Sequence, residues 1–343
     1  MTSSFMVPVA AVDEVLPHPN ADLLELIHVL GWQLVAAKGQ FQVGEKIVYF
    51  PPDSVLPFEL SERFNVTKYL SKQRIRCVKL RGEPSFGLAM PPDDATWQIG
   101  ANVAEHYGVT KYEPPLRSTA EDAVEDHPLF PKYIIIENLR NFPHIFEPGE
   151  MVVLTEKIHG TSARVGIVEG ELMAGSHQLR RKRPENDTQS LYWFPLSLQS
   201  VRNLVQDLGQ RYHQAVVYGE VYGPKVQRLH YGLKENQLGF RVFDVLVDGK
   251  YLEYHEMVIL CHAFEVETVP EIAIIPFDLA SIKLHSEGKT QVVSNNAHIR
   301  EGVVVRSVRE HNHPALGRVV LKYVSDSYFL KTNEKDFTDY TEQ

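Results

Sequence analysis

One interruption divides the chain and limits what it can fold into. Tyr112-Glu113-Pro114-Pro115 is followed by Glu121, Asp122, Glu125 and Asp126, and then by Pro128 and Pro131. Prolines remove backbone donors and like charges repel, so residues 111–131 read as a linker without a packed element. The patterns on its two sides differ. In residues 1–110 the strand-like runs at 25–35 and 46–50 are short, punctuated by Gly31, Gly39-Gln40 and Pro51-Pro52. Short strands with a turn about every ten residues predict a small closed β-barrel. In residues 132–343 the strand-like runs fall at 133–136, 151–154, 240–247, 302–306 and 319–324. Val201, Leu204, Val205 and Leu208 recur at helical spacing ahead of Ala215-Val216-Val217-Tyr218, which predicts an amphipathic helix leading into a strand. The second domain is therefore expected to be mixed α/β.

Composition narrows the class. With 343 residues and 43% hydrophobic content the chain is ordinary globular material, not collagen-like, coiled-coil or wholly disordered. No run reaches the ~18–20 apolar residues of a membrane span. Met1-Thr2-Ser3-Ser4-Phe5-Met6 lacks the pattern of a signal peptide. Cys77 and Cys261 are too few for a disulfide scaffold and read as buried thiols. A soluble, cytoplasmic protein with no membrane partner is the expectation.

The formal net charge of −9 argues against a polyanionic partner until its distribution is considered. Arg63, Lys68, Lys72, Arg74, Arg76, Lys79 and Arg81 form a cationic run with no carboxylate among them. Arg74-Ile75-Arg76-Cys77-Val78-Lys79-Leu80 alternates basic and apolar residues, predicting a strand with one face in a core and one charged face outside. That face is either simply solvated or a surface for phosphate backbone. OB-like barrels commonly bind single strands, which makes Arg74, Arg76, Lys79 and Arg81 candidate nucleic-acid contacts. Arg180-Arg181-Lys182-Arg183 is a second cluster, either an exposed turn or another backbone contact.

The chemistry is concentrated in Leu154-Thr155-Glu156-Lys157-Ile158-His159-Gly160-Thr161. A lysine at a strand end beside a tight turn can be held in a pocket, where desolvation and neighbouring positive charge release its amine as a nucleophile. Lys157-Ile158-His159-Gly160 resembles motif I of the covalent nucleotidyltransferases, which include RNA ligases, DNA ligases and mRNA capping enzymes. Tyr218-Gly219-Glu220-Val221-Tyr222-Gly223 resembles motif III, and Phe240-Arg241-Val242-Phe243-Asp244 resembles motif IIIa. Glu301-Gly302-Val303-Val304-Val305-Arg306 is similar to motif IV, and Leu321-Lys322 to motif V. His159 and Thr161 are more similar to RNA ligases than to DNA ligases, where Asp is usual after the lysine. DNA ligases and capping enzymes place a barrel after motif V, but only 21 residues, 323–343, follow Lys322. A barrel ahead of motif I, joined by Lys111-Tyr112-Glu113-Pro114-Pro115, resembles the nick-sealing RNA ligases of the Naegleria and Deinococcus type. Pro17-His18-Pro19-Asn20-Ala21-Asp22 is more weakly similar to tRNA-binding OB modules.

The resemblance implies an N-terminal OB-like domain over 1–110 and an adenylyltransferase domain of antiparallel sheets and helices over 132–343. It implies an ATP-dependent ligase joining 3′-OH and 5′-phosphate ends of RNA, as a monomer, at duplex nicks. Lys157 would attack the α-phosphate of ATP, and Glu301 would hold Mg²⁺ or Mn²⁺. Ile158 and Gly160 would belong to the nucleotide site, with the Glu156 backbone lining adenine and His159 near the β- and γ-phosphates or metal-bound water. Lys322 would contact the α-phosphate. Glu220 would take the ribose hydroxyls or stand as a surface carboxylate; Phe243 would stack on adenine or fill the core. Ser176 resembles motif Ia. Ser162 stands where the family often has a ribose-contacting Arg or Asn, with Arg164 as its substitute, and Val320-Leu321-Lys322 replaces a usual Lys-x-Lys. Arg306 reads as solvent-facing or functional, and His311-Asn312-His313 as a loop. Two other readings stand beside this one. The first is a DNA ligase, or an enzyme joining an RNA 3′-OH to a DNA 5′-phosphate in an RNA/DNA hybrid. The second is a non-catalytic tRNA- or RNA-binding protein, against which Lys157, Glu220 and Glu301 argue.

Overall fold

Ile47-Val48-Tyr49-Phe50 is apolar at every position because both faces of its strand are covered. Ile47 and Tyr49 pack with Ala10, Ile27, Leu34 and Phe86, while Val48 and Phe50 pack with Val7, Val9, Leu60 and Tyr107. The computed structural model describes residues 5–112, 121–293, 298–314 and 316–332. They form two compact units, one of residues 5–112, 140–143 and 329–332, the other of the remaining described residues.

The first unit contains β1 (Val9–Ala11), β2 (Glu14–Pro17), β3 (Leu24–Val29), β4 (Trp32–Ala37), β5 (Lys46–Phe50), β6 (Ser54–Val55), α1 (Phe58–Arg63), β7 (Cys77–Leu80), β8 (Glu83–Phe86), β9 (Leu88–Met90) and β10 (Thr110–Lys111). β1, β5 and β9 form one antiparallel ladder, and β2, β3 and β4 a meander. The single strand expected over 25–35 is a hairpin that reverses at Leu30-Gly31. The Val35 amide donates to Ser85 Oγ at 3.0 Å, and Gln33 Nε2 to the Pro84 carbonyl at 3.0 Å, which ties β4 to β8. Arg140 lies over the rings of Trp32 and Phe86 at 4.9 and 5.2 Å.

The expected strand over Arg74–Leu80 is corrected. Only Cys77–Leu80 is a strand, and its one partner among the described residues is β8. Val78, Lys79 and Leu80 are all exposed, whereas Arg74 and Ile75 are buried. The buried side chains of this hairpin come from β8, where Phe86 joins the core, while β7 beyond Cys77 stands exposed, so alternation in sequence does not become alternation in burial here.

The larger unit carries two sheets. Its elements are β11 (Ala123–Val124), β12 (Glu137–Asn138), β13 (Met151–Glu156), β14 (Thr161–Val168), β15 (Glu171–Ser176), β16 (Arg180–Arg181), α2 (Phe194–Ser197), α3 (Gln199–Arg211), β17 (Gln214–Tyr222), β18 (Gly239–Val247), β19 (Lys250–Tyr251), α4 (Tyr254–Ala263), β20 (Glu271–Pro276), α5 (Leu279–Ser286), β21 (Gly302–Ser307), β22 (Asn312–His313), β23 (Gly317–Arg318), β24 (Val320–Val324) and, as far as Tyr328, α6 (Asp326–Thr332). One sheet runs β11-β16-β15-β14-β17-β18-β19, the other β12-β24-β21-β13-β20, and all their pairings are antiparallel except β12 with β24. α3 buries Val201, Leu204, Val205 and Leu208, as their spacing requires, against Ala163, Val165, Val217 and Val221 of the first sheet. Each such aliphatic side chain contributes about 1.5–3 kcal/mol of burial. The opposite face of that sheet carries Arg164, Tyr218 and Glu220.

The linker expectation is also corrected where it can be followed; residues 113–120 lie outside the described residues. β11 adds to the edge of the seven-stranded sheet, and Phe130 is buried. The acids do not repel the segment into solvent because cations meet them: Arg181 donates to Asp122 at 2.7 Å, and Asp126 lies within 3.1 Å of Lys132 and Arg164. No helix among the described residues is long and apolar enough to cross a membrane.

Candidate active site

Two glycines let the chain close around Lys157. A Cβ on Gly302 would lie 2.2 Å from the Tyr323 carbonyl oxygen, so only glycine fits where β21 meets β24. A Cβ on Gly160 would lie 2.2 Å from the Val221 carbonyl oxygen and 2.9 Å from Glu220 Cγ, so the turn after β13 can press against β17. The Lys157 amide donates to the Gly302 carbonyl at 3.0 Å. Lys157 Nζ donates to Glu301 Oε1 at 2.5 Å, with the two side chains only 10% and 4% exposed. Glu301 Oε2 is 3.3 Å from His159 Nδ1. The neighbour of Lys157 is thus a carboxylate, not the positive charge expected from the sequence.

The turn is gripped at three further points. The His159 amide donates to the Tyr231 hydroxyl at 2.7 Å, and Gln227 Nε2 to the Gly160 carbonyl at 3.4 Å. His159 Nδ1 lies 3.0 Å from the Tyr328 hydroxyl. Ile158 is buried with Tyr222, Tyr231, Val269 and Val292. The Glu156 carboxylate accepts from Thr290 Oγ1 and the Gln291 amide, each at 2.6 Å. Burial pushes its pKa up, against those hydrogen bonds and the Arg300 charge.

Glu220 lies opposite Ser162 on the seven-stranded sheet. Burial pushes its carboxyl up to about 8; Lys157 and the Gly160 amide oppose the shift, and the Glu301 charge reinforces it. The residue is half-buried. Phe243 is the extra residue of a bulge: Tyr218 pairs with Asp244 and Gly219 with Val242. Bulges re-aim side chains, and this one leaves Phe243 half-buried with its ring 4.9 Å from that of Tyr133. Arg306 donates to the Phe243 carbonyl at 3.4 Å. Arg306 is buried, not solvent-facing, and lies 3.5 Å from Asp244 and against Glu310. Arg318 completes this network, 2.6 Å from each of Asp244 and Glu310. Asp244 also accepts from the Tyr133 hydroxyl at 2.6 Å. Lys322 pairs with Val304 on β21, on the same sheet face as Arg306.

A family model described as RNA ligase matches residues 150–324, just over half of the chain and all five motif segments. The chain belongs to the RNA ligase family. A model described as an OB-fold domain matches residues 6–92, so the ligase carries an N-terminal OB-fold ahead of its ligase domain. Among solved structures it is similar to the Naegleria gruberi RNA ligase. A lysine-to-alanine mutant of that protein with ATP and Mn has a TM-score of 0.76 and 25% identity, covering 96% of this chain and 99% of the other. The same protein with pyrophosphate gives a TM-score of 0.75 and 25% identity, covering 96% and 98%. Comparison with curated proteins gives no match.

Two residues expected in the ligase's nucleotide site are engaged elsewhere. Arg164 is 2% exposed, lies over the Phe130 ring, donates to the Phe130 carbonyl at 2.5 Å and pairs with Asp126. Ser176 Oγ accepts from the Gln178 and Leu179 amides at 3.2 and 2.9 Å, closing its own turn. The candidate RNA contacts also divide. Arg74 is buried, held by Asp53 at 2.5 Å and stacked on Tyr112 at 3.9 Å, so it is not a surface cation. Lys79 and Arg81 are exposed, with Lys68 and the 70%-exposed Tyr69, and Arg76 is half-buried. Arg180, Arg181, Lys182 and Arg183 line a groove of about 710 Å³ with Trp193. Within it Arg180 pairs with Glu171, Arg181 with Asp122, and Arg183 with Asp187, while Lys182 is exposed.

Sequence reasoning missed Tyr231, Gln227 and Tyr328 around His159, and the Asp244-Arg306-Arg318-Glu310 network behind Phe243. Tyr328 carries no motif signal. Arg306 and Asp244 were visible as charges in apolar strands, the one hint that they are buried and paired.

Proposed function

We propose that this RNA ligase uses ATP to join 3′-OH and 5′-phosphate ends of RNA at duplex nicks, through lysyl-AMP and an adenylylated 5′ end, in RNA repair. The observation that carries the reading is the buried Lys157–Glu301 pair beneath the Gly160 turn, with Glu220 beside it and Phe243 aimed by its bulge. Lys157 Nζ sheds its proton and attacks the α-phosphorus; the N–P bond forms as the bond to pyrophosphate breaks. A 5′-phosphate oxygen then takes AMP from Nζ. Finally the 3′-OH attacks that 5′-phosphorus, its proton is lost, and AMP leaves. Phe243 stacks on adenine, Glu220 meets the ribose hydroxyls, and Lys322 the α-phosphate. Stacking of this kind is worth ~1–3 kcal/mol per base.

Glu301 would hold a divalent cation, Mg²⁺ or Mn²⁺. The donor chemistry fits, because a buried carboxylate offers hard oxygens. Among the described residues no group of three or more His, Cys, Asp or Glu could chelate an ion unaided, which suits a cation whose shell is completed by water and nucleotide phosphate. When bound, the ion neutralises charge on the phosphates. Cys77 and Cys261, neither of them in a disulfide, accord with a reducing, cytoplasmic setting, where the enzyme acts as a monomer on RNA ends.

The test is a panel of nicked duplexes with ATP: all RNA, all DNA, and RNA 3′-OH against DNA 5′-phosphate. Sealing of nicks with an RNA 3′-OH is expected to exceed sealing of all-DNA nicks; preferential sealing of all-DNA nicks would overturn the substrate assignment.

A further inference from the structure

We propose that Tyr328 is a positioning residue that fixes the ring of His159 for phosphate handling in lysine adenylylation, acting through that ring. The proposal rests on the adenylyl-transfer reading above. Tyr328 lies on α6, 169 positions from His159 in the chain, yet its hydroxyl is 3.0 Å from Nδ1 and the two rings meet edge to face at 5.8 Å. It is only 3% exposed. The Ser325 amide donates to the Glu301 carbonyl at 2.9 Å, and the Tyr328 amide to Ser325 Oγ at 3.2 Å. The tyrosine is therefore anchored to the same stretch of backbone that carries Glu301.

Imidazole chemistry gives this contact its consequence. A neutral histidine has one N–H, and Nδ1 has two groups in reach: the Tyr328 hydroxyl, and Glu301 Oε2 at 3.3 Å. A carboxylate only accepts, so pairing Nδ1 with Glu301 requires the proton on Nδ1. A hydroxyl can donate, so pairing Nδ1 with Tyr328 leaves the proton on Nε2. Glu301 also holds Lys157 Nζ, a contact that must break when the amine attacks phosphorus. Through that exchange of partners the Tyr328 hydroxyl keeps the ring from turning and presents Nε2–H as a donor to phosphate oxygen. Tyr231 does a different job: it receives the backbone amide of His159, whatever the side chain.

This difference makes the proposal testable in the full-length protein. Single-turnover adenylylation by ATP with Mn²⁺ is measured for wild type, Tyr328→Phe, His159→Ala, Tyr231→Phe, and the two tyrosine variants each combined with His159→Ala. Thermal melts confirm folding. Outer partners of metal-ligating histidines are worth 10–100-fold, and at the low end of that scale Tyr328→Phe is expected to slow the step about tenfold at saturating ATP. Its half-saturating ATP concentration should shift much less. In the His159→Ala background Tyr328→Phe should add no further loss, whereas the loss from Tyr231→Phe should persist. A wild-type rate in Tyr328→Phe, or the same fold-loss with and without the imidazole, would overturn the proposal while leaving the adenylyl-transfer reading intact. A wild-type protein that forms no adduct would overturn both.

Discussion

At the scale of single residues, the site joins groups whose charges depend on one another. Glu220 is the clearest case, because burial lifts its pKa from 4.5 to about 8. The sign follows from linkage. As pH rises through that window the unfolded chain releases this proton while the folded chain keeps it, so folding loses stability from this group. Glu220→Gln removes the effect. Urea midpoints of the nucleotide-free protein are expected to show the variant gaining on wild type as pH rises from about 4.5 to about 8; a gap independent of pH would contradict the burial. The Lys157–Glu301 contact has a similar logic, since a buried pair holds together only while both partners stay.

At the scale of elements, the bulge in β18 and the network behind it decide where Phe243 sits. Arg306, Arg318, Asp244 and Glu310 are two cations and two anions in mutual contact, with the Tyr133 hydroxyl on Asp244. Removing one member strands a buried charge, so Arg306→Met is expected to cost about 3–5 kcal/mol of stability, read from urea unfolding. A loss under about 1 kcal/mol, the worth of an exposed pair, would contradict the network. These elements also mark how far the sequence could be read. The α3 face, the motif glycines and the strand runs at 46–50, 151–154, 240–247, 302–306 and 319–324 were visible because each is a local pattern with a local cause, whereas residues 133–136, expected as a strand, lie outside any strand. The Phe243 bulge and the burial of Arg306 were not, because alternation does not say which sheet face meets another sheet. Nor was the fate of the acidic segment: Asp122 finds Arg181 across 59 positions, and neither residue announces the other. Tyr328 was hidden for the same reason.

For the whole molecule, the question is how a chain of net charge −9 meets a polyanion. Much of the positive charge noted in the sequence is spent inside, on Asp53 by Arg74 and on Asp126 by Arg164. The exposed remainder includes Lys79 and Arg81 on the OB-fold unit, and Lys182 in the groove of the ligase domain. Replacing Lys79, Arg81 and Lys182 by alanine should weaken sealing and flatten its salt dependence, by a slope of about 0.9 for each duplex phosphate no longer neutralised. Lysine adenylylation should be spared; equal loss of both steps would contradict the division between nucleotide site and RNA surface. Arg74→Ala, by contrast, should lower stability.

The central claim is that Lys157 is the nucleophile of an adenylyl transfer. Incubating the protein with ATP and Mn²⁺, then mapping the modified peptide by mass spectrometry, tests it most directly. The account predicts one AMP adduct, on Lys157, absent from Lys157→Ala and reversed by pyrophosphate; an adduct on another residue, or one that persists in Lys157→Ala, would contradict it.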